Sequence, residues 1–231
     1  MLFPELHKGE KNSMKASASF FRGFFRRIFH SPKQKVFVIG FHKTGTSSLG
    51  KALQILGYKV CGSLKEGMDY EDSAIGFTEY LFQKGKQLLE KYDAFQDTPW
   101  FLLYEELYRA YPNAYFILTV RNPESWLNSV QSHFGINEYP YHERIYTSLD
   151  PFKSRELYLA RFTDHNQAIR EFFKGNDNFL EFSIESDGWE QLAGHLGLKI
   201  PITKFPYANK ASDRNSFISK VKMKLKKGYY N

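Results

Sequence analysis

The stretch from Lys35 to Gly57, KVFVIGFHKTGTSSLGKALQILG, constrains the fold more than any other. Its unbroken apolar run Val36-Phe37-Val38-Ile39 suits a parallel strand covered on both faces. Gly40 and Gly45 then bracket a turn, Phe41-His42-Lys43-Thr44. The small hydroxyl residues Thr46, Ser47 and Ser48 open a segment in which Leu49, Ala52, Leu53 and Leu56 recur at helical spacing, and Gly57 stands where a helix-ending glycine belongs. A loop that runs into a helix N-terminus aims backbone N–H groups and the positive end of the helix dipole at one point, an arrangement that holds a phosphate. Lys43 adds a full positive charge.

A nucleoside-triphosphate loop of the usual kind has Lys directly after its last Gly, followed by Ser or Thr for magnesium. Here Thr46 follows Gly45, and the lysine lies two residues earlier, inside the turn. A second strand-like run, Ala114–Val120, ends directly in Arg121-Asn122-Pro123-Glu124. Asn122 is a good N-cap, Pro123 suits the first helical position and Glu124 complements the dipole, so a helix starts there. Arg121 therefore falls at the carboxyl end of a strand, where open α/β sheets bind ligands. Ser129 follows eight positions later, about two helical turns on.

The order Lys43-Thr44-Gly45-Thr46-Ser47-Ser48, then Arg121 and Ser129, resembles the sulfotransferases. So do Asp97-Thr98-Pro99, Gly188-Trp189-Glu190 and Phe205-Pro206-Tyr207-Ala208-Asn209, which extend the likeness from about Lys35 to Asn209. That resemblance implies a sulfuryl donor, 3′-phosphoadenosine 5′-phosphosulfate, with no metal. The loop from Lys43 to Ser48 would hold its 5′-phosphosulfate, and Arg121 and Ser129 its 3′-phosphate. It also implies Lys43 as the group that stabilises the leaving phosphate and Asp97 as the acceptor's base, with His42 as the alternative base and His133 and His142 behind it. The Arg-Lys-Gly loop of better-known members is missing; Lys210 and Arg214 are the basic residues that follow Asn209. Two other readings compete: a P-loop kinase or NTPase, which would bind ATP with magnesium, and a non-catalytic, membrane-associated nucleotide-binding protein.

Further runs at Lys59–Cys61, Asp93–Asp97 and Asn178–Ser183 read as strands. Ser73–Tyr92, Trp100–Tyr111, Arg155–Lys174 and a segment from Asp187 to Gly197 read as helices. Strands alternating with helices predict a three-layer α/β domain with about five parallel strands around a P-loop-like strand, loop and helix. Gly135–Ser154 shows no clear period and reads as a lid over an acceptor site.

The formal net charge of +7 is unevenly spread: residues 1–35 carry eight Lys or Arg against two Glu, and the segment from Lys199 nine against one Asp. The centre is therefore acidic, which argues against nucleic-acid binding. Within a basic N-terminal segment, 1–34, Phe20, Phe21, Phe24, Phe25, Ile28 and Phe29 would share one half of a helix and Arg22, Arg26 and Arg27 the other. Such a helix can lie in an anionic membrane interface. The catalytic domain would span 35–210 and a basic tail 211–231. The single Cys61 allows no internal disulfide and fits a reducing cytoplasm, so the expected location is cytoplasmic, at the inner face of a membrane. The expected partner is an acceptor hydroxyl on a small molecule, a glycan or a lipid-linked molecule, and the sequence does not indicate an oligomeric state.

Overall fold

The computed structural model describes residues 34–64, 70, 75–135, 137 and 139–207. The amphipathic pattern of Phe20–Phe29, the tail 211–231, and Lys210 and Arg214 lie outside the described residues.

Five strands, β1 (Val36–Val38), β2 (Val60–Cys61), β3 (Ala94–Phe95), β4 (Tyr115–Val120) and β5 (Phe179–Ser183), pair in the order β2-β3-β1-β4-β5, and every pair is parallel. Parallel strands need a crossover on a sheet face, and helices supply it. They are α1 (Thr46–Ile55), α2 (Phe77–Lys91), α3 (Tyr104–Ala110), α4 (Pro123–Phe134), α5 (Pro140–Tyr146), α6 (Arg155–Phe172) and α7 (Trp189–His195).

The two-residue period of β1 shows how the layers divide. Phe37 points into one core with Leu81 and Leu89 of α2, Leu107 of α3, Trp126 and Val130 of α4, and Phe162 and Ile169 of α6. Val36 and Val38 point the other way, onto Leu49, Ala52 and Leu53 of α1 and Leu192 and Ala193 of α7. Each such Val, Leu, Ile or Phe contributes roughly 1.5–3 kcal/mol when fully buried. The first face is the aromatic one, with Trp126 stacked on Phe162 at 4.2 Å and Tyr146 on Tyr158 at 3.9 Å.

Several element boundaries differ from the expectation for physical reasons. The third strand keeps only Ala94 and Phe95, because Asp97 takes a left-handed backbone, φ 78°, and turns the chain out of the sheet. The helix expected over Trp100–Tyr111 begins as a 3-10 turn, Trp100–Leu103, with Leu102 N–H donating to the Pro99 carbonyl at 2.8 Å. The tighter turn buries Trp100, Phe101 and Leu103 together, and the α-helix starts at Tyr104. In the segment read as aperiodic, 135–154, lies α5, whose buried side is made of His142, Ile145 and Tyr146. An imidazole and a phenol stand where a hydropathy pattern looks for aliphatic residues. The glycines behaved as expected: after Leu56, Gly57 has φ 97°, its N–H donates to Gln54 and that of Tyr58 to Leu53, a Schellman close. Asn122 caps α4 by accepting from Ser125 N–H at 3.1 Å, with Pro123 in the first helical position. Among the described residues no helix is long and apolar enough to cross a membrane.

Candidate functional site

The loop after β1 is fixed residue by residue. Gly40 lies flat against Thr119 of β4, so close that a Cβ there would overlap Thr119's backbone and hydroxyl. Phe41 is fully buried, packed on Phe101 at 4.4 Å and His165 at 4.5 Å. The His42 carbonyl accepts from the Trp126 indole N–H at 2.9 Å. Thr44 turns its hydroxyl inward, donating to the Phe41 carbonyl and accepting from the Thr119 hydroxyl, both at 2.6 Å. Of Thr44, therefore, only the backbone faces the mouth of the loop. Lys43 and Gly45 both have left-handed backbones, φ 68° and 101°, and Gly45 is wedged against Ile184, which follows β5. Glycine meets that demand freely, whereas lysine does so at a cost.

Gly45 is the N-cap of α1, with no capping side chain and no acidic residue in the first turn. The chain thus leaves the positive end of this dipole unneutralised beside Lys43. Thr46, Ser47 and Ser48 form that first turn; Ser47 is half-buried, Thr46 and Ser48 buried.

Arg121, at the end of β4, reaches back to the loop and donates Nη1–H to the Lys43 carbonyl at 3.2 Å. Its Nε is buried without a hydrogen bond, 3.6 Å from Glu185 Oε1. The loop and Arg121 are thus brought together directly. Ser129 is half-buried on α4, and its hydroxyl is bonded neither to Arg121 nor to the loop.

Asp97 leaves β3 on the same sheet edge. Its Oδ1 accepts from Thr98 N–H at 2.9 Å, and burial raises the carboxyl above its ordinary 3.8 against the opposing pull of that N–H and of the Lys43 charge. His42 is buried, with Nδ1 3.2 Å from Thr98 Oγ1 and Nε2 2.9 Å from the Tyr146 hydroxyl. Burial holds the ring well below 6.5, so it stays neutral with both nitrogens engaged. Of the two expected bases Asp97 is the better placed, since the His42 lone pair is already committed. His133 is exposed on α4, and His142 is buried on α5. Thr98, Tyr146, Ile184 and Glu185 are the residues sequence reasoning missed. Only Thr98, inside Asp97-Thr98-Pro99, lay in a recognised motif. Among the described residues no group of three His, Cys, Asp or Glu stands close enough to hold a metal ion.

Buried histidines give this region a pH dependence. His142 is lowered to about 4 and His165, which donates Nε2–H to the Ile39 carbonyl at 2.9 Å, to about 3, both chiefly by burial. The unfolded chain takes up protons near 6.5 that the folded one refuses. Stability is full above that value and is lost as pH falls from 6.5 towards 4 and 3. Melting temperature measured against pH should fall over this window, and His165→Gln should flatten the slope.

The chain can be set beside known proteins on this geometry. The profile of the family described as "Sulfotransferase domain" matches residues 35–163 and 143–214, which include the loop, Asp97 and Arg121. The chain is also 31% identical over 209 residues to Ava biosynthesis cluster protein M of Aspergillus versicolor, with 75% of this chain and 80% of that protein covered. With a five-stranded parallel sheet carrying a P-loop-like turn on its central strand, this chain belongs to the sulfotransferase family.

Proposed function

We propose that this protein moves a sulfuryl group from 3′-phosphoadenosine 5′-phosphosulfate to the hydroxyl of a small biosynthetic molecule. The observation that carries the reading is the convergence of one open helix N-terminus, Lys43 and Arg121, whose buried Nε makes no hydrogen bond and faces only the Glu185 carboxylate at 3.6 Å, on a single sheet edge. Those groups fit an anion with two separated phosphates. The relative's printed name puts it in a biosynthesis cluster, and a small-molecule acceptor for this chain is the reading taken from that.

In the reaction the acceptor oxygen bonds to sulfur as the sulfur–oxygen bond to the 5′-phosphate breaks, releasing adenosine 3′,5′-bisphosphate. Lys43 and the N–H groups opening α1 stabilise the charge that gathers on the leaving phosphate, with Thr46 and Ser47 supplying hydroxyls. Arg121, with Ser129, holds the 3′-phosphate. Asp97 accepts the acceptor's proton. Being the base, Asp97 must be ionised, so turnover rises with pH through its raised pKa.

Asp97→Asn should then have opposite effects on activity and stability. Transfer falls by about 10²–10⁴-fold with loss of the base. A raised carboxyl pKa means that the folded state holds its proton above the ordinary 3.8, so the carboxylate destabilises the fold at neutral pH. Asn tolerates the left-handed backbone at position 97 and still accepts the Thr98 N–H, so the variant should melt higher than wild type at pH 7 and equal to it in acid.

Thermal shift of the full chain tests the donor site. Adenosine 3′,5′-bisphosphate at about 100 times its dissociation constant should stabilise by roughly 2.7 kcal/mol without magnesium, and Arg121→Ala should remove the effect. A response to ATP with magnesium alone would replace this reading with a kinase or NTPase. Silence towards both would favour a non-catalytic protein.

A further inference from the structure

Through its side chain His42 links the loop that carries Lys43 to the turn that carries Asp97, with Nδ1 3.2 Å from Thr98 Oγ1. Its carbonyl is pinned by Trp126, and its ring is walled by Phe134 at 4.9 Å, His142 stacked at 5.5 Å, Phe101 at 5.8 Å and Phe41 at 5.9 Å. On one side the ring meets Thr98 Oγ1, and Thr98 in turn donates its N–H to Asp97 Oδ1 while its carbonyl accepts from Leu64 N–H at 3.0 Å. On the other side it meets Tyr146, itself stacked on Tyr158, whose hydroxyl donates to the Ser148 carbonyl at 3.0 Å. A neutral imidazole carries one N–H, and a hydroxyl can donate or accept, so either tautomer satisfies both neighbours.

We infer that His42 is a positioning residue: its doubly bonded ring fixes the Lys43 loop in register with the Asp97–Thr98 turn, using Tyr146 of α5 as the fixed point. The role of this register in turnover rests on the sulfotransferase reading, in which Lys43 serves the leaving group and Asp97 the acceptor. The register itself does not. Transfer needs the two groups on opposite sides of one sulfur, and small misplacements of such groups cost rate disproportionately. The neutral state of the ring also spares the site a second cation beside Lys43.

The test follows the Asp97 carboxyl carbon by NMR titration of the full chain, without nucleotide. The Lys43 charge lowers the Asp97 midpoint, so Lys43→Met should raise it. His42→Phe keeps a ring of similar size and removes both hydrogen bonds. In that background the upward shift caused by Lys43→Met should shrink by half or more. Tyr146→Phe and Thr98→Val, each removing one bond to the ring, should shrink it in part, and they carry the test if His42→Phe does not fold. Tyr158→Phe loses a nearby hydrogen bond without touching His42 and should leave the shift intact. An equal shift in the wild-type and His42→Phe backgrounds overturns the inference, as does a loss in Tyr158→Phe matching that in Tyr146→Phe. Failure of the wild type to bind the bisphosphate would remove the catalytic consequence and leave the register standing.

Discussion

Lys43→Met should slow sulfuryl transfer by about 10²–10³-fold, the loss typical of removing one preorganised donor from a developing oxyanion. In the proposed reaction the charge on the leaving phosphate grows as the sulfur–oxygen bond lengthens. A lysine aimed there is worth more in the transition state than in the bound donor, so the loss belongs mostly to kcat. The change should be mild for the fold: Lys43 is half-buried, methionine keeps the unbranched length of its stem, and the carbonyl that accepts from Arg121 is retained. The check is single-turnover formation of adenosine 3′,5′-bisphosphate from the donor in the presence of acceptor, together with bisphosphate binding by thermal shift. Retention of most of the rate would place the electrostatic work elsewhere in the loop.

Gly40→Ala should cost stability at the top of the roughly 1–3 kcal/mol range of overpacking substitutions, or more. The added methyl cannot be accommodated by moving a side chain alone, because it meets the backbone of Thr119 as well as its hydroxyl, near the end of β4. Relief would require β1 and β4 to part, and their pairing, Val36 with Tyr115 through Val38 with Ile117, is central to the sheet. The damage would reach the site as well, since Thr119 Oγ1 is the partner of the Thr44 hydroxyl. Denaturant unfolding of the variant measures the loss; a midpoint like that of wild type would mean that the strands part more easily than their burial implies.

What the sequence revealed and what it hid follow from how far each interaction reaches along the chain. The strand, loop and helix from Val36 to Ile55 are written in adjacent residues, as are the Asn122 cap, Pro123 and the closing glycines Gly57 and Gly197. The position of β1 between β3 and β4 depends on how crossovers fold back, which no local pattern records. The partners of His42 lie 56 and 104 residues away, and Arg121 reaches 78 residues back to the Lys43 carbonyl. Thr44 is instructive in the other direction. Its place in the motif suggested a ligand for phosphate, yet its hydroxyl is spent on Phe41 and Thr119. Helix α5 stayed hidden because Ile145 is the one aliphatic residue on a buried face otherwise made, among the described side chains, by His142 and Tyr146, whose rings a hydropathy pattern does not register.

The central place of β1 also sets an order of events during synthesis. Its residues leave the ribosome before those of either neighbour, and β3 at 94–95 and β4 at 115–117 must follow before both edges of β1 are paired. Until then Val36-Phe37-Val38-Ile39-Gly40-Phe41, with no charge and no proline, presents two open strand edges, the composition that favours pairing with other chains. The strand that leads into the candidate site is thus also the one that waits longest for its neighbours, and the protein's yield in a cell depends on how well that interval is protected.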